Sequence, residues 1–308
     1  MNSTPEIIVI GEALTDIVET DTGTAEFAGG SPMNVAIGLG RLGHSVQLVT
    51  RIGSDARGER IKEHIEDSGA QVFPGGVIDE PQSTANAVFD AAGVASYQFD
   101  IRWSLDFVDA LPTVRVLHTG SIAAFLAPGA ADVRRLLAAA GPDTIVTFDP
   151  NIRPSLLETA ELTRAVVEDL AGLSDIVKLS DEDAEWLYAG VPLDRVADRL
   201  LDLGPALVVI TRGGDGALLA TATVRVIEPG VRVHVADTIG AGDSFMSALI
   251  HHVAGMLSRG VTPAAIRDRS AFDRRELERL GAFAAACAAV TVSRQGANPP
   301  TLADMQTV

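Results

Sequence analysis

Residues 144–188 read TIVTFDPNIRPSLLETAELTRAVVEDLAGLSDIVKLSDEDAEWLY, and this stretch alternates between two patterns. The apolar runs at 144–148 and 176–179 are typical of buried strands, because they are too short to form independent helices. The segments 161–170 and 181–188 have the length and periodicity of helices. Strands that alternate with helices predict a mainly parallel sheet with helices on both faces, which is an α/β fold.

The same alternation extends over most of the chain. Further strands are predicted at 7–10, 46–49, 114–117 and 207–210, and further helices at 32–42, 57–67 and 128–140. Ser31-Pro32 is a typical helix start and Gly43 a typical helix end. After about residue 240 the pattern is mainly helical.

Two stretches, 16–27 and 83–99, alternate polar and apolar residues instead. The second contains the turn sequence DAAG at 90–93, which predicts an antiparallel hairpin. We interpret both stretches as strands of a small β lid attached to the α/β body. Because the chain has no internal repeat and no low-complexity linker, we expect residues 1–308 to form a single domain.

Composition excludes several classes of function. The 308 residues carry 24 basic and 41 acidic side chains, a formal charge of −17, which would repel nucleic acids and anionic membranes. An anionic ligand must then be held by a local device such as a helix N-terminus. The only cysteine, Cys287, excludes a disulfide framework. No apolar run approaches the roughly 20 residues of a membrane span, and a secretory pattern is absent, so we expect a soluble, cytoplasmic protein.

Two familiar nucleotide motifs do not apply. Residues 38–43 read GLGRLG and match the dinucleotide pattern, but they follow a helix start rather than a strand. We therefore interpret these glycines as small residues that let a helix pack closely. A P-loop is absent, because neither of the two lysines, Lys62 and Lys178, follows a glycine.

The stretch that predicts chemistry is residues 237–250, DTIGAGDSFMSALI. Gly240, Ala241 and Gly242 open a predicted long helix, so their backbone N–H groups would be unpaired and would form an anion hole. Asp243 lies in the first turn, where a carboxylate can deprotonate a hydroxyl that attacks a phosphoryl group. The alternative is an aspartate that only caps an ordinary helix.

This stretch resembles the second signature of the PfkB (ribokinase-like) carbohydrate kinases. The first signature is present at 29–36 as GGSPMNVA, followed by Gly43 and Gly53 at the expected spacing. The two signatures are about 200 residues apart in the right order, and the resemblance covers nearly the whole chain. It implies a ribokinase-like fold with a β lid and an ATP-dependent sugar kinase, fructokinase-like in its details.

The resemblance also implies roles for residues of the sugar and phosphoryl sites. Asp243 would be the catalytic base, and the backbone at 240–242 would hold the transferred phosphoryl group. Asp16, within GEALTD at 11–16, would bind sugar hydroxyls together with Gly30 and Asn34. Short polar groups suit a hydroxyl-rich neutral ligand, and the glycine pair would let the sugar approach closely.

The nucleotide loop of the family is similar to TRGGDG at 211–216, directly after a predicted strand. The resemblance implicates Thr211, Gly213 and Gly216 in ATP binding. The alternative is a tight turn between two strands.

Four further positions are implied by the resemblance. The family often has Asn-x-x-Glu where this chain has Ser180 and Asp183, so Ser180 would lie at the nucleotide and Asp183 would act on Mg²⁺ through water. Arg153, in DPNIRP at 149–154, would reach a phosphate or a substrate carboxylate, unless it is an ordinary surface arginine. Asp237, with residues 294–297, aligns with a monovalent-cation site that in some relatives binds K⁺.

We therefore expect an enzyme that transfers the γ-phosphoryl of ATP to a primary hydroxyl of fructose. The alternatives are a 2-keto-3-deoxygluconate kinase, in which Arg102 or Arg153 would meet the carboxylate of the sugar acid, and a ribokinase. A sugar-binding regulatory protein is the alternative without catalysis. We also expect a homodimer that pairs through the lid.

Overall fold

The computed structural model describes residues 5–20, 23–89 and 95–306. Its strands have the following bounds in chain order: β1 Ile7–Ile10, β2 Leu14–Thr20, β3 Gly23–Gly29, β4 Val46–Val49, β5 Ile52–Gly53, β6 Gln71–Val72, β7 Val77–Ile78, β8 Thr84–Phe89, β9 Ala95–Asp100, β10 Val116–Gly120, β11 Ile145–Asp149, β12 Ile176–Ser180, β13 Leu207–Thr211, β14 Ala217–Ala220 and β15 Arg225–Glu228.

The helices follow in the same way: α1 Ser31–Arg41, α2 Ala56–Asp67, α3 Gly129–Ala138, α4 Ala160–Gly172, α5 Asp181–Leu187, α6 Leu193–Asp202, α7 Ala241–Ser258, α8 Pro263–Arg267, α9 Arg274–Val292 and α10 Leu302–Met305. Polar side chains cap several of them. Asp55 accepts hydrogen bonds from the N–H groups of Arg57 and Gly58 at the start of α2, and Asp273 accepts one from Glu276 at the start of α9. Such caps satisfy backbone donors that have no partner inside the helix.

Nine strands form the central sheet in the order β15-β14-β13-β12-β11-β10-β1-β4-β6. The pairs from β13 to β6 are parallel, and β14 and β15 are antiparallel additions at one edge. One apolar core packs α1, α2, α7 and α9 on one face of the sheet, and a second packs α3, α4, α5 and α6 on the other. The predicted mainly parallel α/β sheet is confirmed.

The first two glycines of GLGRLG, Gly38 and Gly40, lie inside α1 and not at a nucleotide turn, and Gly43 follows the end of the helix. A Cβ at Gly38 would lie 2.5 Å from Ser247 Oγ of α7, and a Cβ at Gly40 would lie 2.7 Å from Ser68 O. Small residues here let α1 approach its neighbours closely. This confirms the packing interpretation.

The β lid is a four-stranded sheet in the order β3-β2-β8-β9. The stretch at 16–27 is two paired strands rather than one, since Leu14 pairs with Gly29 and Thr20 with Gly23 in antiparallel register. β8 and β9 pair antiparallel, and β2 and β8 pair parallel. The turn predicted at 90–93 lies outside the described residues.

Some elements were not predicted from the sequence. The sequence patterns indicate no helix at α6, whose apolar face packs into the core through Val196 and Leu200. The edge strands β14 and β15 were also missed.

Within the described part of the chain, no helix is long and apolar enough to cross a membrane. The single-domain organisation stays a prediction.

Candidate active site

Neighbouring parallel strands end at one edge of the central sheet. β11 ends at Asp149, β12 at Ser180 and β13 at Thr211, and Ser180 pairs with Thr211 in the register of the last two strands. Open α/β sheets bind ligands beyond the carboxyl ends of their strands. Two predicted nucleotide-site residues, Ser180 and Thr211, therefore lie side by side at this edge.

Helix α7 begins at the predicted anion hole. Its N-cap, Gly240, has φ of 76°, a left-handed conformation that favours glycine. The Ala241 N–H makes only a long 3.4 Å bond to Thr238 O. Within the described residues, the N–H groups of Gly242 and Asp243 donate to no acceptor. Unpaired donors at the positive end of a helix form a site for an anion such as a phosphoryl group.

Asp243 does not cap its own helix, so that alternative is wrong. Its Oδ1 accepts a hydrogen bond of 2.6 Å from Ser31 Oγ, and its Oδ2 accepts one of 2.8 Å from Asn34 Nδ2. Both donors belong to α1, so the carboxylate lies between the N-termini of α1 and α7. Asn34, predicted to bind the sugar, donates to the predicted base through its side-chain amide. The side chain of Asp243 is buried but keeps 8% of its surface exposed.

A buried ion pair lies beneath the anion hole, and the sequence analysis missed it. Lys178 Nζ is 2.8 Å from Asp149 Oδ2, and a Cβ at Gly242 would lie 3.1 Å from the same Nζ. Burial acts to lower the pKa of Lys178, but the carboxylates of Asp149, Asp183 and Asp243 outweigh it and raise that pKa above its ordinary value. Lys178 is thus a fixed positive charge next to the predicted phosphoryl site. The scarcity of lysine in the sequence was the only signal that could have drawn attention to it.

The sugar-site prediction centres on Asp16 and the glycine pair. A Cβ at Gly29 would lie 2.1 Å from Asp16 Oδ2, and a Cβ at Gly30, whose φ is 117°, would lie 2.5 Å from Glu12 O. The glycines therefore make room for the protein's own Asp16 carboxylate and backbone. The sequence-based reason for the pair, close approach of the sugar, stays a prediction. Among the described residues, no group donates a hydrogen bond to Asp16, so its carboxylate is free to accept hydroxyls.

Arg153 supplies positive charge near Asp16 and Glu12. Burial raises the pKa of Asp16 to about 6 and that of Glu12 to about 7, and the charge of Arg153 opposes both shifts. The Arg153 guanidinium donates to the carbonyl of Ile152 and, within the described ranges, forms no ion pair. Arg102, in contrast, lies 3.6 Å from Glu80 and 3.5 Å from Asp100. Of these two arginines, Arg153 is the one left for a ligand.

The predicted nucleotide loop joins β13 to the antiparallel strand β14, so it is also a strand-to-strand turn. Gly213 has φ of 49°, and a Cβ there would meet nothing within 4 Å. Gly216 has φ of 90°, and a Cβ there would lie 1.9 Å from Glu228 O. The Thr211 hydroxyl makes a weak 3.4 Å bond to Leu179 O. The outer part of the loop is open to a ligand, and its inner part is packed.

Ser180 and Asp183 form a capping box at the start of α5. Ser180 Oγ accepts from the Asp183 N–H at 3.0 Å, and Asp183 Oδ2 accepts from the Ser180 N–H at 2.9 Å. Asp183 Oδ1 accepts a further bond from the Ile152 N–H. Each carboxylate oxygen of Asp183 therefore already has one backbone donor, which favours an indirect role toward a metal over direct ligation.

The two segments of the predicted monovalent-cation site meet. Asp237 Oδ2 accepts from the Gly296 N–H at 2.9 Å, and Asp237 Oδ1 accepts from the Ile239 N–H at 3.0 Å. These backbone hydrogen bonds lower the pKa of Asp237, which keeps it ionised. The charge of the carboxylate is thus maintained beside the loop that leads into α7.

Comparisons with known proteins identify the family of the chain. The family model for pfkB family carbohydrate kinases matches residues 4–304. A fructokinase from Rhizobium leguminosarum bv. trifolii is 35% identical over 256 residues, which cover 79% of this chain and 78% of that protein. Fructokinase-1 of Oryza sativa subsp. japonica is 30% identical, with 95% and 93% covered. The crystal structure of a Xylella fastidiosa fructokinase with bound ATP matches with a TM-score of 0.84 at 26% identity, with 98% and 97% covered. The chain belongs to the pfkB family of carbohydrate kinases.

Proposed function

We propose that this protein is a fructokinase that transfers the γ-phosphoryl of ATP to a primary hydroxyl of fructose. The observation that carries the proposal is the position of Asp243, between two helix N-termini and beside the unpaired N–H groups that open α7. A base and an anion site at one point are what phosphoryl transfer to a hydroxyl requires.

In the proposed reaction the sugar hydroxyl gives its proton to the Asp243 carboxylate. The oxygen of the sugar hydroxyl forms the new bond to the γ-phosphorus. The bond from that phosphorus to the β–γ bridging oxygen breaks, so that ADP leaves. The N–H groups at Gly242 and Asp243 and the Lys178 ammonium would stabilise the charge on the transferred group. The lid would keep out water, which otherwise competes as the acceptor.

Fructose is the proposed acceptor because the two relatives named above are fructokinases. Asp16, Asn34 and the Gly30 backbone would bind its hydroxyls. The second candidate is 2-keto-3-deoxygluconate, and the observation in its favour is the positive charge of Arg153 near Asp16. That charge offsets the repulsion that Asp16 would exert on a sugar acid. Ribose is the third candidate.

ATP would lie along Thr211, Gly213 and Gly216, with Ser180 at its phosphates. Mg²⁺ in kinase sites is commonly held by one or two carboxylates, substrate phosphates and several waters. This fits a chain whose described residues contain no group of three or more metal-ligating side chains, and in which the buried Asp149 Oδ1 has no partner. Asp183 and Asp149 would bind the ion through water. When bound, Mg²⁺ would neutralise charge on the phosphates.

We propose that K⁺ binds beside Asp237, because that carboxylate accepts a hydrogen bond from the Gly296 segment.

A homodimer through the lid is supported by Phe27, which lies on the edge strand β3 and is 58% exposed. The single, buried Cys287 is compatible with a reducing cytoplasm. We also propose that the chain works as one domain, with the lid as part of it.

The test is an ADP-release assay with fructose, ribose, 2-keto-3-deoxygluconate and adenosine as acceptors, run with the Asp243→Asn variant as the control. We expect the highest kcat/KM for fructose and loss of ADP release in the variant. A higher kcat/KM for another acceptor would replace fructose, and ADP release independent of every acceptor would refute kinase activity. Exchange of K⁺ for Na⁺ in the same assay tests the monovalent-cation site.

A further inference from the structure

Ser31 makes the shorter of the two side-chain hydrogen bonds to Asp243. It is the first residue of α1 and lies 212 positions away from Asp243 in the chain. A serine at a helix start commonly accepts a hydrogen bond from its own helix. Here the N-cap is Gly30, without a side-chain cap, and the Ser31 hydroxyl donates across to α7.

The backbone that carries Ser31 is tightly held. A Cβ at Gly30 would lie 2.5 Å from Glu12 O, and a Cβ at Gly11 would lie 2.1 Å from the ring of Pro32. α1 and α7 also pack directly on each other. Ser31 Oγ is therefore presented to Asp243 by a rigid element, and its side chain is 8% exposed.

The two donors of α1 fix both oxygens of the carboxylate. Ser31 bonds Oδ1 and Asn34 bonds Oδ2, so rotation about the last side-chain torsion would break both bonds. Each carboxylate oxygen has two acceptor positions, so each keeps one for a substrate hydroxyl. The arrangement holds the base without blocking it.

We propose that Ser31 is a positioning residue, which keeps the Asp243 carboxylate oriented to take the proton of the sugar hydroxyl. This inference rests on the proposed function, because it assigns Ser31 a role through the base of that reaction. A hydrogen bond to a charged group is worth about 1.5–3 kcal/mol, which corresponds to roughly ten- to a hundredfold in rate.

The test is steady-state kinetics of Ser31→Ala. We expect kcat to fall about tenfold or more, while KM for fructose and for ATP changes less than about twofold, because the bond supports the base rather than the binding of either substrate. Ser31→Thr, which keeps the hydroxyl, should recover most of kcat.

The matched control is Ser247→Ala, which removes a buried hydroxyl from the same α1–α7 interface. Ser247 donates to Ser244 O within its own helix, and among the described residues no hydrogen bond joins it to Asp243, so kcat should stay unchanged. Ser31→Cys keeps the side-chain volume but donates weakly, so it reports on the same bond if the alanine variant folds poorly.

The double variant Ser31→Ala/Asp243→Ala separates the two proposals. If Ser31 acts through Asp243, its substitution changes kcat of the Asp243→Ala enzyme less than about twofold. Undiminished kcat in Ser31→Ala and Ser31→Cys, or the same loss in both backgrounds, would overturn the role of Ser31. A kcat of Asp243→Ala equal to that of the unsubstituted enzyme would instead refute the proposed base.

Discussion

Asp16→Asn should make the protein more stable and less active. The pKa of Asp16 is raised from 3.8 to about 6 by burial, so between these values the folded state binds more protons than the unfolded state. Stability is therefore lost as pH rises through this interval, and the full cost is present at neutral pH. At about 1.4 kcal/mol per pKa unit, the ionised Asp16 lowers the free energy of unfolding by at most about 3 kcal/mol. Because the side chain is partly exposed, we expect a loss of about 1–3 kcal/mol.

The stability arm is measured by thermal unfolding without sugar. Asparagine has the same shape and no charge, so the variant should unfold a few degrees higher than the unsubstituted protein at pH 7.5, at roughly 2 °C per kcal/mol for a chain of this size. The difference should disappear near pH 4. Asp143→Asn is the matched control, because Asp143 is exposed and precedes β11 at the opposite edge of the sheet. It should leave the unfolding temperature unchanged at both pH values.

The activity arm is measured with fructose and ATP varied separately. A hydroxyl bound to a carboxylate gains about 1 kcal/mol more than one bound to a neutral amide, so kcat/KM for fructose should fall about five- to tenfold, with little change in KM for ATP. In the unsubstituted enzyme kcat/KM for fructose should also decline below about pH 6, as Asp16 takes up its proton. Unaltered fructose kinetics, or a variant that is less stable at pH 7.5, would show that Asp16 is not a free carboxylate held for the sugar.

Three further predictions concern the phosphoryl site. Asp243→Asn should lower kcat by about 10²- to 10⁴-fold with both KM values nearly unchanged, and an unchanged kcat would exclude it as the base. Gly242→Val should abolish turnover in a folded protein, because its Cβ would lie 3.1 Å from Lys178 Nζ at the anion hole; normal ATP turnover would place the phosphoryl group elsewhere. Lys178→Met should cost about 3–5 kcal/mol by leaving Asp149 buried without a cation, and adding Asp149→Leu should restore the unfolding temperature but not kcat. Activity recovered together with stability would make the pair purely structural.

The sequence predicted the sheet well, because its strands are continuous apolar runs that differ clearly from the helices between them. The predicted strands ended one residue early at Asp149, Ser180 and Thr211. Each of these polar residues is the last residue of a parallel strand, where the backbone still pairs although the apolar run has ended. An apolar pattern does not include such a residue, so these three errors fall at the candidate site.

Long-range side-chain contacts were less predictable. The resemblance indicated Asp243 and Asn34 but assigned them to different partners, whereas the structure bonds them to each other. The contact of Lys178 with Asp149 and its approach to Gly242 depend on how β12, β11 and α7 meet in space. Spacing along the chain contains no information on these distances. The sequence identified some candidate site residues, such as Asp243 and Asn34, and the fold determines which residues interact.

For the binding of an anion, the positions of a few groups matter more than the net charge of the protein. A net charge of −17 should disfavour ATP, yet charges spread over the surface are screened within about 8 Å at physiological ionic strength. Lys178 is buried, but its charge is largely balanced by Asp149, which lies 2.8 Å away. The unpaired N–H groups at the start of α7 are therefore the local feature that favours a phosphoryl group against the overall field. A nucleic acid would instead have to contact many surface positions, where acidic residues outnumber basic ones by 41 to 24. The same charge distribution thus admits a nucleotide and disfavours a nucleic acid.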